Sequence, residues 1–299
     1  MAASLDTSAF ARLRAAGFVS AAARLTDYDL PRVGHTIGVG EDEIHAVMEV
    51  EASGGGFDRL KRPKMLFEPH VFWRNLSGAA RARAASLGLA YAAWKPGAYP
   101  TDSYPRLMQA LAIDETAALM AASWGLGQIL GENHKAAGYA TPQAMVVAFC
   151  ERGEAEHLAA MVRFIVTNGL DDELRRHDWA GFARGYNGAQ YAKHGYHTKL
   201  AAAFAKWSKI KDTPWSPGMG EPAPDPLAPM KARPVVVVPL PPVATGPLVT
   251  PAPRRPGLLP PTGSDPTVPM PTASAPPASK PGFLAGALAR LRAAYPPKG

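Results

Sequence analysis

Proline is spread so unevenly along this chain that it divides it into two physical regimes. Of the 31 prolines, 7 fall in residues 1–212 and 24 in residues 213–299. Proline locks φ and removes a backbone donor, so a segment this rich in it propagates neither a helix nor a ladder. From about Thr213 the texture becomes Pro, Ala, Val and Thr without helical periodicity. That predicts an extended, partly polyproline-like linker over 213–281 that buries no core. PVVVVPL (234–240) is its only apolar run. The last stretch, 282–299, regains a pattern, with Phe283, Leu284, Ala287, Leu288 and Leu291 on one helical face and Arg290 and Arg292 beside it. It reads as a short basic amphipathic helix, against the plainer alternative of a weakly structured tail.

Any core must therefore come from residues 1–212, which read as all-α. Thr141-Pro142 fits an N-cap followed by proline at the first helical position, and the run from Gln143 closes on Asn168-Gly169, with Gly153 splitting it in two. Asp171 or Asp172 is expected to cap a segment running toward Arg184, Thr198 to precede the last helix, Asp114 to cap ETAALMAASW, and Asp6 or Thr7 to open the first helix. Alternating strand patterns are scarce; a small β-hairpin near 57–72 is the most they allow.

The charge follows the same division. Of the net +7, residues 213–299 contribute +5, from 8 Lys/Arg against 3 Asp/Glu. A basic surface suits nucleic acid, anionic lipid or an acidic polymer. No Lys/Arg-rich run or nucleic-acid motif supports the first, so nucleic acid is not an expected partner. The lone Cys150, inside AMVVAFC, reads as a small core hydrophobe. No apolar stretch approaches the length of a spanning helix. The N-terminus lacks a basic n-region, and Arg12 and Arg14 interrupt any apolar segment. A secretory signal peptide is not expected, which predicts synthesis in the bacterial cytoplasm.

The segment EDEIHAVMEVEASGGGF carries the main chemical inference. On a helix, Ile44, Val47 and Met48 form one apolar stripe at i, i+3, i+4, and Glu51 is its i+7 member. Glu49 projects to the far side with Asp42 and His45. The helix must stop at Ser53-Gly54-Gly55-Gly56. A carboxylate on an apolar face loses hydration, which favours its protonated form. Glycosidic cleavage needs such a proton donor. Spacing alone leaves a second reading open, a buried glutamate that caps or pairs with an arginine.

In this order, EVEASGGGF, RPKMLFEPHVF, SWGLGQILGENHKAAGY and FARGYNGAQYA resemble the N-acetylmuramidase domain of phage and prophage endolysins. More distantly, they are similar to goose-type lysozymes and soluble lytic transglycosylases. The resemblance covers roughly residues 25–207. It implies a mainly helical, lysozyme-like catalytic domain over 25–212, preceded by a helical extension at 1–24. It also implies a monomer that acts in the periplasm or cell wall, cleaving the β-1,4 bond between N-acetylmuramic acid and N-acetylglucosamine in peptidoglycan without a cofactor. The amphipathic helix at 282–299 would add contact with anionic membrane or lipopolysaccharide.

Residue by residue, Glu51 matches the catalytic glutamate. Ala52 stands where the family usually has Ser, and Ser53 is expected to stand in for that hydroxyl. Gly125-Leu126-Gly127-Gln128-Ile129 matches the second motif, where the Gln128 amide would bind a sugar acetamido or hydroxyl group; Gly127 replaces a commoner Met or Phe. Tyr186-Asn187-Gly188 matches the third, placing the Tyr186 hydroxyl near the catalytic carboxylate while Asn187 holds the loop. Glu68 is expected either to bind groups near Glu51 or to pair with Arg62 or Arg74. A second catalytic carboxylate is not evident; Glu49, Glu68, Asp102 and Asp114 are the candidates. Without one, closure by the muramoyl 6-hydroxyl would make the chain a lytic transglycosylase giving 1,6-anhydro products. A non-catalytic peptidoglycan-binding protein is the other alternative. His194 and His197 lack a third ligand at zinc-site spacing, so no metal site is expected, and no GxSxG marks a serine nucleophile.

Overall fold

The computed structural model describes residues 2–51, 54–95, 99–189 and 191–219. The rest of the linker, the expected C-terminal helix and Ser53 lie outside the described residues. Within them the chain is mainly helical. Helices α1 (Ala2–Ala15), α2 (Asp29–Thr36) and α3 (Glu41–Glu51) lead into strand β1 (Met65–Phe67). There follow α4 (Pro69–Asn75), α5 (Gly78–Ser86), α6 (Tyr104–Leu111) and α7 (Glu115–Met120), then strands β2 (Ala122–Trp124) and β3 (Ile129–Leu130). A 3-10 turn at Gly131–Asn133 precedes α8 (Pro142–Arg152), α9 (Glu154–Thr167), α10 (Asp171–Arg175), α11 (Trp179–Asn187) and α12 (Tyr196–Trp207).

Several helix ends form where local chemistry dictates. Thr141 Oγ1 accepts the Ala144 N–H at 3.1 Å with Pro142 in the first turn of α8, and Asp114 accepts the Ala117 N–H at 2.8 Å at the start of α7. Gly153 separates α8 from α9 at φ 74°, where a Cβ would lie 2.5 Å from the Ala23 carbonyl oxygen. Only glycine fits both constraints.

The segment expected to run toward Arg184 is two helices. Asp171 and Asp172 lie in the first turn of α10 and pair with Arg175 and Arg176. His177 then turns left-handed at φ 54°, and Asp178 caps α11 through the Gly181 N–H at 2.9 Å. The other two starts differ as well. Helix α1 begins at Ala2, ahead of Asp6 and Thr7, and α12 begins at Tyr196, with the Thr198 hydroxyl donating to the Gly195 carbonyl at 2.8 Å.

The strands form one three-stranded antiparallel sheet in the order β1-β2-β3, with Met65 opposite Trp124 and Ser123 opposite Leu130. Residues 57–63 do turn back on themselves through a Phe57–Pro63 bridge, but β1 pairs with distant β2 and not with this turn. All three residues of each strand in that pair are buried, and Met65–Phe67 is a continuous apolar run, so three-residue strands like these carry no sustained alternation to mark the pairing.

The core gathers around Trp124, which is fully buried; the Phe18 ring lies 6.0 Å from it and 5.5 Å from Tyr104. Phe10 and Phe18, ahead of residue 25, thus complete the same core. Helix α9 is buried from Glu156 to Ile165, as is Glu154 at its start, and runs through the centre. Cys150 is a free, buried thiol, and burial pushes its ionisation well above the ordinary range.

Candidate active site

Glu51 is the last residue of α3 and is fully buried, as are Ile44 and Val47 on the same face. Met48 is half-buried, and Ala46 and Val50 widen the apolar stripe. The Asn187 side-chain N–H donates to Glu51 Oε1 at 2.8 Å, so the C-terminal residues of α3 and α11 meet there. Beside Asn187, the Tyr186 ring is stacked on Phe182 at 5.3 Å and meets Phe164 edge-on at 5.5 Å. Burial, and then the negative charge of Glu51, push the Tyr186 hydroxyl well above its ordinary ionisation. The phenol therefore stays protonated close to Glu51, and its oxygen has no hydrogen-bond partner among the described residues. Glu51, Tyr186 and Asn187 are brought together.

Glu49 goes elsewhere. Its carboxylate accepts the Lys206 ammonium and the Trp207 indole N–H, each at 2.8 Å, and His45 stacks on Trp207 at 3.9 Å. The bond from Lys206 holds Glu49 below the usual carboxylate range. The far side of α3 is thus where α12 docks, at an edge still open to water. Replacing Glu49 with alanine is expected to cost only about 0.2–1 kcal/mol, as for exposed ion pairs. Lysis of purified peptidoglycan should stay within about twofold of wild type. Thermal unfolding and a turbidity assay check both, and a loss of lysis without unfolding would reverse the assignment of the two glutamates.

Gln128 sits at φ 48°, an uncommon conformation for a side chain of its size. Its amide N–H groups donate to the Gly125 carbonyl at 2.7 Å and the Lys64 carbonyl at 3.3 Å. The nitrogen of the amide expected to meet a sugar is therefore engaged with backbone carbonyls. The buried amide oxygen has no partner among the described residues. Met161 packs against Gly127, where a Cβ would approach to 3.2 Å, and takes up the room that a larger residue there would need.

Glu68 is buried just before α4, accepting from the Tyr99 hydroxyl at 3.3 Å with His70 Nδ1 at 3.5 Å. Arg62 binds Asp58 and Asp102, and Arg74 binds Glu132. Asp102 also accepts the Tyr104 N–H at 3.0 Å, and Asp114 caps α7, so each of these candidate carboxylates serves its own loop or helix start. Among the described residues, no group of three or more His, Cys, Asp or Glu side chains is arranged to hold a metal ion.

Two buried polar residues of α9 escape motif reading. Glu154 accepts the Gly56 N–H at 2.5 Å and the Leu25 N–H at 3.2 Å, with Arg24 at 3.3 Å. His157, fully buried, has Nδ1 3.2 Å from the Leu126 N–H and Nε2 3.2 Å from the Phe149 carbonyl. The hydrogen-bond pattern assigns the ring proton to Nε2, because a carbonyl accepts and an amide N–H donates. Burial pushes the imidazolium form down to about 3, so the ring is neutral. Their i, i+3 spacing was the only sequence signal for them, on a helix that also buries Glu156 and Arg163.

The N-acetylmuramidase family pattern matches residues 41–208. Among solved structures, the endolysin of Burkholderia phage AP3 is 40% identical with a TM-score of 0.57. That match covers 62% of this chain and 72% of the endolysin chain. A comparison with curated proteins finds no match.

Proposed function

Because the chain belongs to the N-acetylmuramidase family of peptidoglycan-degrading enzymes, we propose that Glu51 is the general acid for its glycan-strand cleavage. The bond in question is the β-1,4 link from N-acetylmuramic acid to N-acetylglucosamine. The observation that carries this reading is the buried Asn187–Glu51 hydrogen bond. A neutral carboxyl has one accepting oxygen and one that bears the proton. The Asn187 N–H can only donate, so Oε1 is the accepting oxygen and the acidic proton belongs on Oε2. General-acid catalysis requires this carboxyl to be neutral before the reaction. Once the proton passes to the leaving oxygen, the Asn187 bond becomes charge-assisted and strengthens. It therefore stabilises the transition state more than the ground state.

The breaking bond develops oxocarbenium character at the muramic acid ring. In this reading the Tyr186 phenol donates toward the substrate or the new carboxylate, and the Gln128 oxygen accepts from a sugar N–H or O–H. Ser53 and Glu68 complete the substrate side. Of the four candidate carboxylates, Glu68, which is buried beside Tyr99 and His70, is the one assigned to hold the attacking water. The enzyme works as a monomer, and the basic residues 282–299 assist by contact with anionic membrane or lipopolysaccharide.

Mass spectrometry of the digestion products tests the reaction. Hydrolysis leaves a reducing muramic acid end, whereas closure by the 6-hydroxyl leaves an anhydro end lighter by one water. Reducing ends are expected. Anhydro ends would reassign the second step to the sugar itself and leave the acid role of Glu51 standing.

A further inference from the structure

We propose that one face of α9, formed by Glu154, His157, Met161 and Phe164, positions the three motif loops relative to one another, with His157 as its central member. This rests on the reading that those loops build the catalytic cleft. The four residues stand at i, i+3, i+7 and i+10, which at 3.6 residues per turn spans an arc of only about 80°. Each touches a different piece of the site. Glu154 accepts the Gly56 N–H of the loop that follows Glu51. His157 Nδ1 accepts the Leu126 N–H, Met161 packs on Gly127, and Phe164 packs on Tyr186.

The imidazole also accounts for glycine in two separate motifs. A side chain at Gly56 would collide with His157 Nδ1, and a Cβ at Gly125 would lie 2.8 Å from the same atom. Both loops come to rest against one ring. Loops made of glycine have no side chain with which to anchor themselves, so their position is set by what grips the backbone amides. A histidine that merely filled volume would not need Nδ1 turned to an amide of one loop and Nε2 turned to the Phe149 carbonyl. Catalysis is sensitive to such placement, because a misplacement of about 1 Å can cost on the order of a hundredfold. His157 is therefore a positioning residue; nothing places it against the reacting atoms.

The test uses the full chain and soluble peptidoglycan strands. His157→Phe keeps a ring but removes both nitrogens, whereas His157→Asn keeps an amide group close to the Nδ1 position. The phenylalanine variant is expected to lose at least about thirtyfold in kcat with KM within about threefold, and the asparagine variant to recover most of the loss. A folded His157→Phe protein with wild-type kcat overturns the proposal. Should that variant not fold, ¹⁵N spectra of the wild-type histidines decide. The expected signature is a bare Nδ1 whose resonance moves when a chitin oligosaccharide saturates the cleft, as the 3.2 Å bond to Leu126 tightens. A protonated Nδ1, or a resonance that ignores the saccharide, also overturns it. If wild type does not cut the strands at all, it is the assignment of Glu51 that fails.

Discussion

Glu51→Gln is expected to give a folded protein that no longer clears a suspension of purified peptidoglycan. Glutamine has nearly the shape of glutamic acid, and its amide oxygen can still accept the Asn187 N–H found at 2.8 Å from Oε1. What it lacks is a proton acidic enough to give to the leaving oxygen. General-acid catalysis is worth roughly 10²–10⁴ in rate, or about 3–5 kcal/mol of barrier, so the loss should be near-complete in a turbidity assay. Stability should hold, because the substitution replaces a buried ionisable group with a neutral one of equal size. Equal lysis by wild type and variant would remove Glu51 from the mechanism. If neither protein lyses but both sediment with the wall material, the chain is a binding protein that has kept the cleft without the chemistry.

The separation of Glu51 from Glu49 was legible in the sequence because the apolar residues Ile44, Val47 and Met48 set the phase of α3. Its partner Asn187, 136 residues away, was not, since periodicity carries no information across that distance; only the resemblance of the third motif suggested it. Pairing of β1 with β2 left no trace because strands of three buried residues carry no sustained alternation. The break between α10 and α11 was missed because three acidic residues, Asp171, Asp172 and Asp178, compete as caps. Tertiary context, with the His177 ring 5.3 Å from Trp179 and bonded to Glu43, selects the last. The work of Gln128 was only half legible, as its nitrogen binds carbonyls, which every residue possesses. Glu154 and His157 were hidden for the same reason. Their partners are backbone amides, and the trace left on the other side is the absence of a side chain at Gly56 and Gly125.

The face of α9 that carries Glu156 and Arg163 predicts the largest stability effect. Glu156 is almost fully buried, with Oε1 2.7 Å from Arg163 Nη2 and 2.5 Å from the Tyr139 hydroxyl, and Oε2 3.3 Å from Arg152. Arg163 also donates to the Ala137 carbonyl at 2.7 Å. Burial alone would push the Glu156 carboxyl up, but Arg163, the Tyr139 hydrogen bond and Arg152 together hold it below its ordinary 4.5. Arg163→Met leaves that charge buried without its main partner. The expected cost is about 3–5 kcal/mol, or roughly 6–20 °C in Tm. The pH dependence follows from the sign of the shift. A depressed carboxyl contributes stability that is fully present above its unfolded value and is lost as pH falls through its folded value. Wild type should therefore weaken below about pH 4.5, while the variant, whose Glu156 can simply protonate, weakens less. The gap between the two should be widest at pH 7 and narrow toward pH 4 in urea titrations; a constant gap would exclude Glu156 as the source. The two faces of α9 then give opposite signatures. Arg163→Met should lower Tm and leave kcat unchanged at temperatures where it is folded, and His157→Phe should lower kcat in a chain that remains folded.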